Sequence, residues 1–265
     1  MRERPYRFAA RYYPARAPYS AELRPRLSAE LGWDGTGRLL DVGCGPGIVA
    51  RELAPSFAEV IGLDPEEEML AEARAITRAT PRIRWVRGRA EDLPSLALGR
   101  FAAVTLAQSF HWTDRAAVAE VVYESLIPGG AMVLIHHEPA SPPPQGVHPP
   151  HPRIPHELIN NALVRYLGRG KQPWDPNRER HDVFLKRTRF GAPARLMLPG
   201  RSDLVRTVDE VIDAYLGTSF AAPELFGDRL DEFRAELAAT LHARTDTGLY
   251  WDWPGDTEIL IARRA

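Results

Sequence analysis

The residues whose types and spacing suit ligand chemistry lie in a glycine-rich turn, DVGCGPG at positions 41–47. A short apolar run, 38–42, leads into the turn, and a segment of helical character begins at Ile48. Glycines allow positive φ angles and let a ligand approach the backbone closely. Ligands of open α/β sheets bind beyond the carboxyl ends of the strands. The turn is therefore predicted to hold a ligand where a strand passes into a helix.

The residues around this turn indicate which ligand it binds. A dinucleotide fingerprint, GxGxxG, would place its third glycine at Ile48, and Pro46 has no N–H to offer a phosphate. Asp41 suits a cationic ligand instead, and Asp64 follows Gly43 by about 20 residues, a spacing that suits a carboxylate bound to ribose hydroxyls. S-adenosylmethionine (SAM) combines a ribose with an ammonium and a sulfonium group. We therefore expect SAM, and a nicotinamide-dependent oxidoreductase is the alternative.

The segments that position the turn alternate between strand-like and helix-like patterns. Predicted strands lie at 38–42, 59–63, 82–86, 101–107 and 131–135. Predicted helices lie at 48–57, 66–79 and 115–126, where apolar residues recur on one face. This alternation is typical of βαβ units around a parallel sheet.

The alternation stops at Pro139, and a proline-rich loop follows to Pro155. Helical patterns then occur at 155–167, 207–216 and 228–241, and two closing strands are predicted at 248–253 and 258–262. We therefore predict four parts. They are an N-terminal lid segment (1–36), a SAM-binding Rossmann-like core (37–138), a helical insertion that caps the substrate (139–240) and a strand pair that completes the sheet (241–265).

Composition narrows the range of partners. The 265 residues carry a formal net charge of −1, so no basic excess points to nucleic acid. The single cysteine, Cys44, excludes an internal disulfide framework and a multi-cysteine zinc site. The sequence contains no run of about 18 apolar residues, so no membrane span is predicted. We expect a cytoplasmic protein with a small-molecule substrate, no nucleic-acid or membrane partner, and a monomeric or homodimeric state.

Residues 37–138 resemble the class I SAM-dependent methyltransferases. The turn at 41–47 matches their first motif, and GLDP at 62–65 matches the second. GRAEDLP at 88–94 is similar to the loop that holds adenine, and IPGG at 127–130 to the turn before the fifth strand. The resemblance implies a Rossmann-like sheet of seven strands with the last one antiparallel, with SAM as the cofactor and S-adenosylhomocysteine (SAH) as its product.

The same resemblance assigns roles to individual residues. It implies that the amino-acid end of SAM meets Asp41, Gly43 and Gly45, and that the ribose meets Asp64. It places Pro65 and Met69 in the same cofactor motif. The remaining assignments are Ala90, Glu91 and Asp92 at the adenine edge and Gln108 and Ser109 beside the sulfonium.

A narrower resemblance lies in QSFHW at 108–112, which is similar to the trans-aconitate methyltransferase-like small-molecule subgroup. His111 is the candidate general base, because it follows the fourth predicted strand near the expected methyl group. The alternative is a structural turn that packs on the sheet. Trp112 is expected to wall the pocket. A phenol or alcohol acceptor would need such a base, whereas a carboxylate or neutral amine would not.

The acceptor site is predicted from two other stretches. Tyr12, Tyr13, Arg16 and Tyr19 could form a lid over the site or a surface arm, and an arginine there suits a carboxylate-bearing substrate. His136 and His137 close the fifth strand, and one of them is expected to contact substrate. Adjacent strand residues point to opposite faces, so no metal site is predicted. The expected reaction is in-line methyl transfer to O, N or C of a small molecule, and an inactive SAM-binding protein is a further alternative.

Overall fold

A computed structural model describes residues 10–77, 82–138, 141–146, 148–170 and 179–265. The chain divides into two compact units. The sheet unit comprises Ser20–Glu138, Pro176–Pro199 and Asp256–Ala265. The helical unit comprises Met1–Tyr19, Pro139–Asp175 and Gly200–Gly255.

The sheet unit is built on seven strands. They are β1 (Arg38–Val42), β2 (Glu59–Asp64), β3 (Ile83–Arg87), β4 (Phe101–Ala107), β5 (Leu126–Glu138), β6 (Ala194–Leu198) and β9 (Asp256–Arg263). Their order in the sheet is β3-β2-β1-β4-β5-β9-β6. β1 to β5 pair in parallel, whereas β9 runs antiparallel to both β5 and β6. The predicted Rossmann-like sheet with an antiparallel last strand is therefore confirmed.

Helices flank the strands of this unit, and three of them lie where the apolar periodicity predicts. The helices of the sheet unit are α1 (Leu23–Leu31), α2 (Ile48–Leu53), α3 (Glu67–Ile76), α4 (Leu93–Leu96), α5 (Arg115–Ser125) and α7 (His181–Leu185). Short 3₁₀ turns lie at Ala54–Ser56, Ala90–Asp92 and Phe110–Trp112. Leu40, Val104 and Leu134 are fully buried strand residues in one apolar cluster with Val118 and Val122 of α5. Burial of each Leu or Val side chain contributes ~1.5–3 kcal/mol, so this cluster holds the helices to the sheet.

The helical unit has its own apolar core. Its elements are α6 (His156–Leu167), α8 (Val208–Leu216), α9 (Leu230–His242), the strands β7 (Val205–Thr207) and β8 (Leu249–Trp251), and 3₁₀ turns at Ala10–Ala15, Pro223–Leu225 and Gly227–Arg229. α8 begins with a capping box, because Thr207 and Glu210 exchange side-chain and backbone hydrogen bonds. None of the described helices combines the length and low charge needed to cross a bilayer.

The end of the chain departs from the predicted strand pair. Of the two closing strands, only β9 joins the large sheet, while β8 pairs antiparallel with β7. The reason is that β9 has β5 on one side and β6 on the other, so no sheet position beside it is left for β8. The sequence placed β6 and α7 in a helical insertion, whereas both belong to the sheet unit.

Candidate active site

The glycine-rich turn lies at the carboxyl end of β1, as predicted. Gly43, Gly45 and Gly47 have φ angles of 65°, 53° and 80°, which favour glycine. A Cβ atom on Gly43 would lie 2.5 Å from the Cβ atom of Ser109. The turn is thus packed against the segment that follows β4, and a larger residue at position 43 would separate the two.

A tryptophan that the sequence analysis missed closes the other side of this turn. A Cβ atom on Gly47 or on Gly62 would lie 2.2 Å from the Trp85 ring. The indole Nε1 donates a hydrogen bond to Thr77 Oγ1 at 3.0 Å, which fixes the ring over the two glycines. Gly62 was the available signal, since an isolated glycine within a strand marks the close approach of another group.

The backbone amides of the turn are all engaged within the chain. Gly43 N and Cys44 N donate to Leu63 O at 2.8 and 3.1 Å. Gly45 N donates to Asp64 Oδ2 at 2.8 Å, and Gly47 N donates to Cys44 O at 3.0 Å. Pro46 has no N–H. Dinucleotide-binding turns hold the pyrophosphate with backbone amides that have no partner in the protein. In this turn each amide N–H already donates a hydrogen bond within the chain, so none is available for a pyrophosphate.

Asp41, the last residue but one of β1, is 1% exposed, and its side chain is hydrogen-bonded within the fold. Its Oδ1 accepts a hydrogen bond from Thr105 Oγ1 at 2.7 Å, and its Oδ2 accepts one from Ala50 N at 3.1 Å. Burial raises the pKa of this carboxyl to about 7. Asp41 therefore joins β1 to β4 and to α2. Its direct contact with the amino-acid end of SAM stays a prediction.

Asp64 ends β2 beside the turn and is 7% exposed. Its Oδ2 accepts from Gly45 N at 2.8 Å, and its Oδ1 accepts from Glu66 N at 2.9 Å. Burial raises the pKa of Asp64 to about 6, against the lowering effect of these two bonds. A carboxylate offers about four lone-pair sites, so each oxygen can still accept a bond from a ribose hydroxyl. The donor and acceptor chemistry of the turn therefore fits SAM.

The segment predicted to hold adenine lies next to Asp64. Gly88 N donates to Asp64 O at 3.1 Å, and a 3₁₀ turn then begins at the buried Ala90. Asp92 Oδ2 accepts from Arg89 N at 3.2 Å, and Glu91 Oε1 accepts from Asp114 N at 3.1 Å. Asp92 thus closes its own turn, whereas Glu91 joins the turn to the start of α5. Contact with adenine stays a prediction for both residues and for Ala90.

Pro65 and Met69 follow Asp64 along the chain. Pro65 is half-buried, and its carbonyl oxygen accepts a bond from Arg87 Nε at 3.3 Å. Met69 is buried on the inner face of α3. Contact of either residue with SAM stays a prediction.

Gln108 and Ser109 connect the glycine turn to β5. Ser109 Oγ donates to Val42 O at 2.7 Å, and Gln108 N donates to Ile135 O at 3.0 Å. Gln108 has a φ angle of 53°, which is uncommon for a residue other than glycine. Such strain persists where the surroundings fix it and is concentrated at functional sites. The position of both residues beside the sulfonium stays a prediction.

Histidines from three parts of the chain gather beyond this point. His111 lies in the 3₁₀ turn after β4, with its ring centroid 5.2 Å from that of Trp112, which is 41% exposed. His136 and His137 lie at the end of β5. His181 begins α7, and its ring stacks on His136 with centroids 5.0 Å apart and an interplanar angle of 27°. The sequence did not indicate His181, because it lies in the arginine-rich stretch 178–189, and such stretches usually form a solvated helix face.

The environment of His136 keeps its ring neutral. Burial and, to a smaller extent, the neighbouring His181, His111 and His137 together lower the pKa of His136 to about 3. The Nε2 atom of His136 is buried and has no hydrogen-bond partner among the described residues. In the described part of the chain, no three His, Cys, Asp or Glu side chains are arranged to hold a metal ion.

The predicted N-terminal lid residues belong to the helical unit. Tyr12 is buried in its apolar core, and the Arg234 guanidinium lies 5.7 Å from the ring centroid. Arg16 lies over the ring of Tyr13 at 5.0 Å, and Tyr19 is half-buried. Tyr12 thus serves the packing of this unit, and acceptor contacts of the four residues stay predictions.

Comparison with known proteins agrees with the fold and the turn. Residues 39–130 match the family model described as a methyltransferase domain. An uncharacterized methyltransferase of Mycobacterium tuberculosis is 37% identical over 98 residues, which cover 37% of this chain and 39% of the relative. The ubiquinone biosynthesis O-methyltransferase of Psychrobacter cryohalolentis is 33% identical over 120 residues, or 43% and 46% of the two chains. The chain thus spans less than half the length of these curated relatives.

A solved structure shares the fold over nearly the whole chain. It is that of a proposed type II methyltransferase from Anaeromyxobacter dehalogenans, with a TM-score of 0.55, 22% identity, and coverage of 94% of this chain and 96% of the other. The strand order and the glycine turn define a Rossmann-like fold of the class I type. With the family match, they show that residues 39–130 form a methyltransferase domain of the class I SAM-dependent type.

Proposed function

We propose that the chain transfers the methyl group of SAM to an O, N or C atom of a small-molecule acceptor. The observation that carries the proposal is the buried pair Asp41 and Asp64 beside a turn whose amides are all engaged. Such a site accepts hydrogen bonds and favours positive charge, which suits SAM and disfavours a pyrophosphate. The O-methyltransferases among the relatives support an oxygen atom as acceptor.

The chain's own residues act by alignment. SAM supplies an electrophilic methyl group on its sulfonium. In this proposal Asp64 fixes the ribose, the loop 90–92 meets the adenine, and the Gly43 turn receives the amino-acid end. Gln108 and Ser109 set the distance between the cofactor and the end of β5, since each is hydrogen-bonded to a neighbouring strand. Alignment of two reactants for in-line displacement can supply ~7–11 kcal/mol of the barrier reduction.

Cofactor binding is tested by calorimetry with SAH. Replacement of Asp64 by Ala removes two charge-assisted hydrogen bonds to ribose, so we expect SAH affinity to fall about 10²–10⁴-fold. Asp34→Ala is the matched control, because Asp34 is exposed and its carboxylate accepts bonds from Thr36. An unchanged affinity in a folded Asp64→Ala protein would contradict the ribose assignment, and tight binding of NADH would favour an oxidoreductase.

Methyl transfer is tested separately. The full chain is incubated with isotope-labelled SAM and a metabolite extract of the source cells, and labelled small molecules are identified by mass spectrometry. A labelled product that depends on Asp64 supports the proposal. A protein that binds SAH tightly but labels no molecule in the extract would instead be a SAM-binding protein without this activity.

A further inference from the structure

The histidines gathered at the carboxyl ends of β4 and β5 lie directly beyond the cofactor turn. Ser109 bonds to Val42 at the end of β1, and Gln108 bonds to Ile135, the residue before His136. These hydrogen bonds connect the glycine turn to the strand that ends in His136, and all of the residues involved belong to the sheet unit. A group that reacts with a methyl donor held beside Gln108 and Ser109 would therefore lie at the same edge of the sheet as these imidazoles.

α7 is fixed in this place by packing and by ion pairs. Leu185 is fully buried in the core of the sheet unit, and the Phe110 ring contacts both His181 and Phe184, with centroids 5.2 and 5.9 Å apart. Arg180, the residue before His181, pairs with Glu258 at 3.4 Å. The stacked position of His181 on His136 is thus supported from two sides.

The charges around His136 favour a neutral guest. Glu258 lies directly opposite His136 in the β5–β9 pair, but its carboxylate is already paired with Arg180 and with Arg195 at 2.6 Å. Among the described residues, His181, His111 and His137 are the titratable groups that act on His136. A site that disfavours the protonated form of its own imidazole also disfavours an ammonium guest. A carboxylate has no proton to give, so it would not use an imidazole as a proton acceptor.

We propose that the stacked pair His136 and His181 binds a hydroxyl group of the acceptor, so that the methyl group goes to a hydroxyl oxygen. The proposal rests on the methyltransferase function above. It adds His181 to the acceptor site, although this residue lies far from the cofactor motifs in the sequence. It also deepens the earlier prediction for His136, because it gives that residue a hydrogen-bonding guest and a chemical role.

The group-transfer step balances without a further reactant. The hydroxyl oxygen forms a bond to the methyl carbon, the carbon–sulfur bond breaks, and its electron pair stays on sulfur. The hydroxyl proton passes to an imidazole nitrogen of the pair. One positive charge is lost from the sulfonium and one appears on the imidazole, so the net charge of the site stays the same. An oxygen that carries both a proton and the new methyl group is strongly acidic, so even a weakly basic imidazole accepts its proton.

The first arm of the test identifies the atom that is methylated. SAM labelled with ¹³C in its methyl group is added to the full chain with a metabolite extract, and the carbon chemical shift of the labelled product shows whether the methyl is bound to O, N or C. A methyl ether supports the inference. An N-methyl, C-methyl or methyl ester product overturns it while leaving the proposed function intact. The absence of any product overturns both.

The second arm uses variants that separate nitrogen chemistry from packing. His136→Gln removes the imidazole, and His181→Phe keeps a stacked ring without nitrogen. His242→Gln is the matched control, since His242 is exposed in α9 of the helical unit. We expect His136→Gln to lower kcat by about 10²–10⁴-fold, and His181→Phe by at least about tenfold, with SAH affinity within about twofold of wild type. His242→Gln should match wild type.

A binding measurement complements turnover. The unmethylated parent of the product from the first arm is titrated by calorimetry into the SAH complex. Loss of one neutral hydrogen bond should weaken its binding about tenfold in His136→Gln, with SAH affinity unchanged. Wild-type turnover and wild-type acceptor affinity in His136→Gln would overturn the inference. Loss of SAH binding in Asp64→Ala is expected whether or not the inference holds, so the two failures are distinguishable.

Discussion

The contact between Gly43 and Ser109 gives the most quantitative test of the cofactor turn. An alanine at position 43 would adopt a φ angle of 65°, at a cost of about 1–2 kcal/mol for the left-handed region. Its Cβ atom would also lie 2.5 Å from Ser109 Cβ, a distance that side chains do not tolerate. Overpacking of a tight site costs about 1–3 kcal/mol more. We therefore expect Gly43→Ala to lower the free energy of unfolding by about 2–5 kcal/mol in total.

A second glycine provides the matched control. Gly32, at the end of α1, has the same φ angle of 65°, but a Cβ atom there would meet nothing within 4 Å. Gly32→Ala therefore reports the backbone cost alone. The two variants are compared by thermal unfolding, where 1 kcal/mol corresponds to about 2–4 °C for a protein of this size. SAH affinity, measured by calorimetry, should fall in Gly43→Ala and stay at the wild-type value in Gly32→Ala.

The clash itself is tested by removing its other half. Ser109→Gly deletes the Cβ atom that the new methyl group at position 43 would meet, so the double variant should recover part of the stability that Gly43→Ala loses. Neighbouring residues that share one contact are expected to be non-additive by about 0.5–3 kcal/mol. Equal losses in Gly43→Ala and Gly32→Ala, with no recovery in the double variant, would refute the idea that Ser109 closes the turn.

Two further predictions concern the protons held at this site. Burial raises the pKa of Asp41 to about 7, above the value of about 3.9 in unfolded chains, so the native state binds more protons between these pH values. The free energy of unfolding should therefore fall as pH rises from about 4 to 7, and Asp41→Asn should flatten that fall in denaturation measured across the range; an unchanged slope would contradict the assignment. SAM should release protons on binding below about pH 7, because its positive charge lowers the pKa values of Asp41 and Asp64. This is measured by calorimetry in buffers of different ionisation enthalpy, and identical enthalpies would argue against it.

Much of the sheet unit was predictable because its signals are local. Four of the five strands from β1 to β5 are mainly buried apolar runs, and the residues between the strands have helical periodicity. β3 is an edge strand with only Ile83 buried, and the alternation of strands and helices indicated it. β6 was missed because it lies outside that alternation and its own sequence carries no strand signal. Only Leu198 of its five residues is buried, so its sequence lacks the alternation that marks a half-buried strand. Its place in the sheet depends on pairing with β9, a contact between distant parts of the chain.

The candidate site divides in the same way. The glycine turn and Asp64 stand out in the sequence, because motif spacing fixes strand, turn and helix over a few residues. Trp85 and His181 do not, because their roles depend on what they contact in three dimensions. Trp85 fills space left by two glycines, and His181 reaches His136 only because Leu185 and Phe184 pack α7 onto the sheet unit. No periodicity or spacing encodes such contacts.

Asp41 also changes how the charge of the site should be understood. The sequence suggested that this acid contacts the cationic ligand, but both of its oxygens are bonded inside the fold. With a pKa of about 7, it is partly protonated at neutral pH, whereas Asp64, with a pKa of about 6, is mostly ionised. Methyl transfer removes the sulfonium charge while the ammonium group of SAH remains, so the two buried carboxylates face one positive charge fewer on the cofactor. A carboxyl group that titrates near neutrality can take up a proton at that moment. The proton released when SAM binds would then return when SAH is formed, so that neither complex carries an uncompensated buried charge.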